Sequence, residues 1–288
     1  MTTIRIAHSP DSDDAFMFHA LVHSKIDTEG LSFSFSQHDT ETLNAIGEKD
    51  DADVLAVSCA RYATIADRWL LLPHGASVGR GYGPVVVAKS ARTLSSLEGA
   101  RIGVPGLRTT ATMVLRILLD RFEPVTIPIT PYARVWDALR SNEVDAALVI
   151  HEGRLAFERE GFACVCDIGS EWSADPAKPG RRDGEKRPLP LGVNVIRRAL
   201  GDDLVAKTSR VCKRSIAWAL DHRDEVMLAL RDTTPLDAAG LDRYLAMYAN
   251  DEDTREMRSD VISAMETLFV EAAKRNLIAR APTIELAP

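Results

Sequence analysis

Short β-branched runs alternate with stretches of helical spacing from residue 3 onward, the pattern of a largely parallel sheet whose strands are joined by crossover helices. Strands are predicted at Ile4 to Ala7, Ser32 to Ser36, Val54 to Val57, Val85 to Ala88, Arg101 to Val104 and Ala146 to Ile150. Several end in a small or polar cluster that opens directly into a helix. From Asp203 the strand signal fades and apolar residues recur at helical spacing. One helix is predicted over Leu204 to Leu220, with Leu204, Val205, Thr208, Val211, Cys212, Ile216 and Leu220 on one face. Another runs from about Thr254 to Asn276, and its stripe of Val261, Ile262, Met265, Leu268, Phe269 and Ala272 reads as core.

Between these regions, Ser173 to Pro188 is rich in proline, glycine and charge and reads as an exposed loop. Leu189-Pro190-Leu191-Gly192 then leads back into a strand-like Val193 to Ile196. A chain of 288 residues is long for one core, so two α/β lobes are expected. Residues 1–89 and 191–288 would form a larger, discontinuous lobe, with residues 90–190 inserted as a smaller one. Two crossings make a hinge, and a hinge implies a cleft that closes on a small molecule.

Composition narrows the choice of partner. A net charge of -7 disfavours a nucleic-acid footprint, which needs clustered Lys and Arg. Arg181-Arg182 and Arg197-Arg198 read as solvated faces. The start lacks a basic segment followed by the roughly 7–15 apolar residues of a secretory signal, and no stretch is long enough to span a membrane, so a cytoplasmic location is expected. Cys59, Cys164, Cys166 and Cys212 lack paired zinc spacing and read as inert thiols, with Cys164 and Cys166 on one side of a strand.

In open parallel sheets, ligands bind beyond the carboxyl ends of strands, where a following helix presents free N–H groups and the positive end of its dipole. Four junctions qualify. Ser9-Pro10-Asp11-Ser12-Asp13-Asp14 precedes a helix, and its acids read chiefly as caps, since their spacing does not make a calcium loop. Ser58 ends a buried strand and either caps the next helix or offers its hydroxyl to a ligand. Val104-Pro105-Gly106-Leu107-Arg108-Thr109-Thr110 combines a free turn with two hydroxyls at a helix start, the strongest local signal for a carboxylate or phosphate.

The fourth junction is Ile150-His151-Glu152-Gly153. A lone histidine is more often structural than catalytic, but at a strand's carboxyl end His151 would face the cleft, with an ordinary pKa near 6.5 suited to taking up a proton. Gly79-Arg80-Gly81-Tyr82-Gly83-Pro84 lacks the strand-to-helix context of a dinucleotide site; a tight connection explains its glycines, and Arg80 or Tyr82 is a candidate ligand contact. The chain has no Walker sequence.

Together these segments resemble the 1,4-dihydroxy-6-naphthoate synthases of the futalosine route to menaquinone, members of the periplasmic-binding-protein-like superfamily. The resemblance runs the length of the chain: Ser9-Pro10 with Asp14-Ala15-Phe16, Ala20-Leu21-Val22-His23, Glu41-Thr42-Leu43-Asn44, Gly79-Arg80-Gly81 with Gly83-Pro84, Val104-Pro105-Gly106 with Thr109-Thr110, Ile150-His151-Glu152, and Pro188-Leu189-Pro190-Leu191-Gly192. It implies a two-lobed α/β fold of the type II binding-protein kind, with an anionic substrate between the lobes. It further implies a lyase that cleaves cyclic dehypoxanthine futalosine to dihydroxynaphthoate without metal or redox cofactor. His151 would be the base, while Ser58, Thr109 and Thr110, with Asp14 and Arg80, would line the substrate site.

The chain departs from the family where Asp11-Ser12-Asp13-Asp14 replaces the usual Cys-Pro-Asn-Asp, where Ala56 stands in place of a frequent lysine, and in the length of the insertion around residues 173–188. The first departure adds negative charge beside the expected anion. Two alternatives stay open on the same fold: a non-catalytic solute-binding protein and a chorismate dehydratase. Monomer and homodimer both stay open.

Overall fold

Two β-sheets organise the chain, and the ends of their strands meet across a cleft. The computed structural model describes residues 2–129, 131–174 and 187–288. In chain order the elements are β1 (Thr3–His8), α1 (Ser12–Val22), β2 (Ser32–Gln37), α2 (Thr40–Ile46), β3 (Val54–Ser58), α3 (Cys59–Ile65), β4 (Trp69–Leu71) and β5 (Ser77–Arg80). Then come β6 (Val85–Ala88), β7 (Arg101–Val104), α4 (Thr110–Leu118), β8 (Glu123–Thr126), α5 (Ala133–Arg140), β9 (Ala146–Val149), α6 (Gly153–Ala156), β10 (Ala163–Asp167) and α7 (Ile168–Ala174). The chain returns through β11 (Pro188–Arg197) to α8 (Asp202–Asp221), α9 (Arg223–Leu230), α10 (Ala238–Tyr248) and α11 (Ser259–Lys274).

The first sheet has the order β2-β1-β3-β11-β4, with β5 also paired to β11. Its β1 runs parallel to β2 and β3, whereas β11 runs antiparallel to β3, β4 and β5. The second sheet has the order β10-β6-β9-β7-β8; β7 is parallel to β8 and β9, and β6 is antiparallel to β9 and β10. Continuous apolar runs make the central strands. Val-Leu-Ala-Val-Ser of β3 and Val-Val-Val-Ala of β6 are buried at every position, as strands covered on both faces are. At the edge, β2 alternates serine with Phe33 and Phe35, which pack partly buried against the core.

The predicted strands are all present, but β6 lies in the second sheet, bonded to β9 and β10, although residues up to 89 were expected in the first lobe. Hydrophobic period marks a strand and does not say which sheet it joins. The chain therefore crosses earlier, between Arg80 and Val85. That crossing is tight: a Cβ at Gly79 would lie 2.0 Å from the Tyr82 carbonyl oxygen. Most of the expected loop, residues 175–186 with Arg181-Arg182, lies outside the described residues.

Three local differences have plain causes. β11 starts at Pro188 and carries Pro190 inside it, tolerated where the pairing with β5 shifts register between Pro190 and Gly192. Cys164 is exposed and Cys166 buried, not on one side, because a similar irregularity falls between them and breaks the alternation. The last helix starts at Ser259 instead of about Thr254, because the buried Thr254 hydroxyl donates to the carbonyls of Ala76 and Tyr248, and the Met257 N–H to that of Pro73. The α11 stripe of Val261, Met265, Leu268 and Phe269 is fully buried in the main core. Trp69 and Trp172 are fully buried too, and each indole N–H finds a carbonyl, on Gly47 at 3.0 Å and on Pro188 at 3.1 Å.

Candidate active site

Strand ends and helix starts from both sheets line a cleft of about 750 Å³, counting its open mouth. Ser9, Asp13 and Asp14 come from the β1–α1 junction, Ser58 from the end of β3, Thr109 and Thr110 from the start of α4, and His151 from beyond β9. Leu191 to Asn194 of β11 line it as well, with Tyr244 and Tyr248 of α10. Five of the six site residues read from the sequence are thus brought together. Arg80 is not among the lining residues: its guanidinium donates to Asp253 at 2.8 Å and to Asp260 at 2.8 Å. Asp253 is only 1% exposed, so this cation neutralises a buried carboxylate at the interlobe connection.

His151 stands in a backbone conformation unusual for a side-chain-bearing residue, with φ of 51°. Tyr132 braces the turn by donating its hydroxyl to the Ile150 carbonyl. Gly153 makes room for that ring, since a Cβ there would sit 2.4 Å from a Tyr132 ring carbon. The turn aims Nδ1 at Asp11, whose Oδ2 is 2.5 Å away. The two side chains form an ion pair. Burial pulls the imidazole pKa down, but the Asp11 charge, with help from Asp13 and Glu152, outweighs it and lifts the value to about 10. Burial likewise raises Asp11, and the imidazolium more than offsets it, leaving that carboxyl below its usual range. His151 is therefore cationic at neutral pH, not a neutral imidazole near 6.5.

The next residue repeats the crossing. Glu152 is buried, and its Oε1 accepts from Ser12 N at 3.2 Å and from Ser12 Oγ at 2.9 Å. Burial and the nearby Asp11 charge raise its pKa. Asp11, His151 and Glu152 place one donor atom each within 4.8 Å of one another, the set of described residues from which a metal would draw ligands. In this structure Asp11 faces His151 and Glu152 holds Ser12.

Adjacent carboxylates at the β1–α1 junction have unequal surroundings. Asp13 receives the Ser77 hydroxyl at 2.8 Å and the Tyr244 hydroxyl at 3.0 Å. Asp14 accepts the Ser9 N–H at 2.8 Å. Burial first, and then the Asp13 charge, push Asp14 up to about 7. Among the described residues the lining contains these two acids and no Lys or Arg, so His151 supplies the positive charge there.

The paired threonines are more structural than the sequence indicates. Thr109 caps α4: its hydroxyl accepts from Thr112 N at 3.2 Å and donates to the Gly106 carbonyl at 3.0 Å. Thr110 Oγ1 accepts from Ala60 N at 3.0 Å and donates to the Leu191 carbonyl at 2.7 Å. Both hydroxyls are committed within the protein, which leaves the backbone N–H groups and dipole of α4 as its means of holding an anion. Ser58 makes no side-chain cap on α3. Instead Asn44 fixes it, donating to its hydroxyl at 3.1 Å and accepting its N–H at 3.0 Å.

Sequence reasoning missed Asp11 as the partner of His151, Glu152 as the partner of Ser12, and Asn44 behind Ser58. Asn44 and Glu152 sit in segments that carried the resemblance, but neither had a local signal of its own. Asp11 stood among acids that read as caps.

Two α/β lobes with a lined cleft between them define a protein of the periplasmic-binding-protein-like fold. An alkanesulfonate-binding protein of Xanthomonas axonopodis pv. citri has the same architecture, with a TM-score of 0.67 and 15% identity over all of this chain and 96% of that one. The chain belongs to the menaquinone biosynthesis family, whose model matches residues 4–274. It is 34% identical over 283 residues, 98% of each chain, to the 1,4-dihydroxy-6-naphthoate synthase of Thermus thermophilus. A crystal structure of an Archaeoglobus fulgidus protein is also similar, with a TM-score of 0.86 and 40% identity, covering 96% of this chain and 98% of that one.

Proposed function

We propose that this protein is a carbon–carbon lyase of menaquinone biosynthesis that converts cyclic dehypoxanthine futalosine to 1,4-dihydroxy-6-naphthoate, with His151 as the base. The observation that carries the reading is the Asp11–His151 pair in the cleft of a chain similar end to end to a named synthase. His151 takes a substrate hydroxyl proton, a carbon–carbon bond breaks, and the second ring becomes aromatic, which supplies the driving force.

The resting imidazolium gives up its proton before acting as base, so activity rises with pH as the neutral form grows. The first N–H groups of α4 and the positive end of that helix hold the substrate carboxylate. Closure of the lobes excludes water and aligns the base. The enzyme works in the cytoplasm, and among the described residues no helix is long and apolar enough to cross a membrane.

Incubating the purified protein with cyclic dehypoxanthine futalosine and following dihydroxynaphthoate by chromatography tests the reading. Product forms with wild type, and His151→Ala lowers turnover by roughly 10²–10⁴-fold while substrate binding persists. Tight binding with no product over long incubation identifies a non-catalytic binding protein instead. Turnover of chorismate in place of the futalosine compound identifies a dehydratase.

A further inference from the structure

Most polar side chains of the cleft are already satisfied by the protein: Asp13 by Ser77 and Tyr244, Ser58 by Asn44, and Thr109 and Thr110 by their own junctions. Thr40 and Asn194 are not. Thr40 lines the cleft at the start of α2, and its Oγ1 is buried without a hydrogen-bond partner among the described residues. Asn194 lines the same cleft from β11, is 2% exposed, and its amide bonds to no described residue.

The backbone is held at both positions. Asp39 caps the helix that carries Thr40, accepting from Glu41 N and Thr42 N. The backbone of Asn194 is paired with Ala56 in the first sheet. A buried polar group without a partner lowers stability, and native proteins keep few of them. Thr40 Oγ1 is such a group, and Asn194 turns an unpartnered amide to the same cleft; both are therefore set for a ligand.

Their chemistry limits what that ligand offers. A hydroxyl and a carboxamide each donate and accept, carry no charge and suit hydroxyl or carbonyl oxygens. We propose that Thr40 and Asn194 are substrate-contact residues that recognise uncharged oxygens of the ligand. On the lyase reading, on which this assignment rests, those oxygens belong to the sugar-derived part of the substrate, away from the carboxylate. A site built this way discriminates strongly against an analogue that lacks the matching oxygen.

Thr40→Val, Thr40→Ser and Asn194→Leu test it, each compared with wild type in turnover of cyclic dehypoxanthine futalosine and in melting temperature without ligand. Thr40→Val and Asn194→Leu raise KM by about tenfold, the fold-change of one neutral hydrogen bond, and Thr40→Ser stays near wild type. The ligand-free melting temperatures of Thr40→Val and Asn194→Leu hold or rise, because no protein hydrogen bond is lost. That opposite movement separates a contact from a structural role. Unchanged KM in both variants, or a clear fall in their ligand-free melting temperatures, overturns the proposal. Absence of turnover in wild type overturns the lyase reading instead. The ligand-free melting temperatures then decide this assignment alone, a rise supporting it and a fall overturning it.

Discussion

Ser12 gives both its backbone N–H and its hydroxyl to one carboxylate oxygen of Glu152, 140 residues away. Each partner is the chain neighbour of a member of the other crossing pair, Asp11 with His151. Four consecutive-neighbour positions therefore make a double contact from the first sheet's β1–α1 junction to the turn after β9. The spacing of Asp11 from His151 depends on the spacing of Ser12 from Glu152.

Ser12→Ala removes one of the two donors and leaves a buried carboxylate less well satisfied. The expected cost is about 1.5–3 kcal/mol, that of a hydrogen bond to a charged group. Urea unfolding at neutral pH measures it as a lower midpoint with an unchanged slope. KM rises more than kcat falls, because the pair is loosened while every reacting group is kept. An unaltered midpoint and unaltered kinetics would show that the contact does not hold the lobes together.

The Asp11 charge sets the pH at which His151 becomes a base. In wild type, kcat/KM rises through the alkaline range toward about 10, where the imidazolium loses its proton. Asp11→Asn removes the charge that outweighs burial, so the rising limb moves to lower pH, toward and below 6.5. The sign for stability follows from the same shift. A histidine raised from 6.5 to about 10 adds stability that is whole below pH 6.5 and is lost as pH rises through about 10. A kcat/KM profile that keeps its midpoint in Asp11→Asn contradicts the pairing.

Asp14 works in the other direction. Its carboxyl is raised from 3.8 to about 7, so the folded state favours the protonated form and loses stability as pH climbs from about 4 through 7. Asn at this position does not ionise. The melting temperature of Asp14→Asn relative to wild type is expected to be higher at pH 8 than at pH 5. Parallel melting curves across that range would mean that Asp14 ionises freely in the fold.

Much of this site was legible because strand ends and helix starts announce themselves locally. Ser58 and His151 were found closing apolar runs, Thr109 and Thr110 opening a helix, and Asp14 through the resemblance alone, and all five line the cleft. What a side chain does there depends on distant partners. Arg80 read as a candidate ligand contact, but its acids, Asp253 and Asp260, stand 173 and 180 residues further on. The acidic loop was expected to burden an anion, whereas Asp11 within it is the counter-ion of His151. The fold divides in the same way. Val85 to Ala88 was clear as a strand, but its place beside β9 rests on pairing with Ala147 to Val149, which no local pattern encodes.

One oxygen bears on how the molecule comes apart. Thr110 Oγ1 accepts from the first turn of α3 and donates to the β11 carbonyl at Leu191, so a single buried atom joins a helix of each lobe to the strand that returns between them. Loss of either lobe strips that atom of a partner and exposes the other lobe's helix start. That shared atom couples the unfolding of the two halves, and the expected calorimetric outcome is one transition; two resolved transitions would show that the lobes unfold separately.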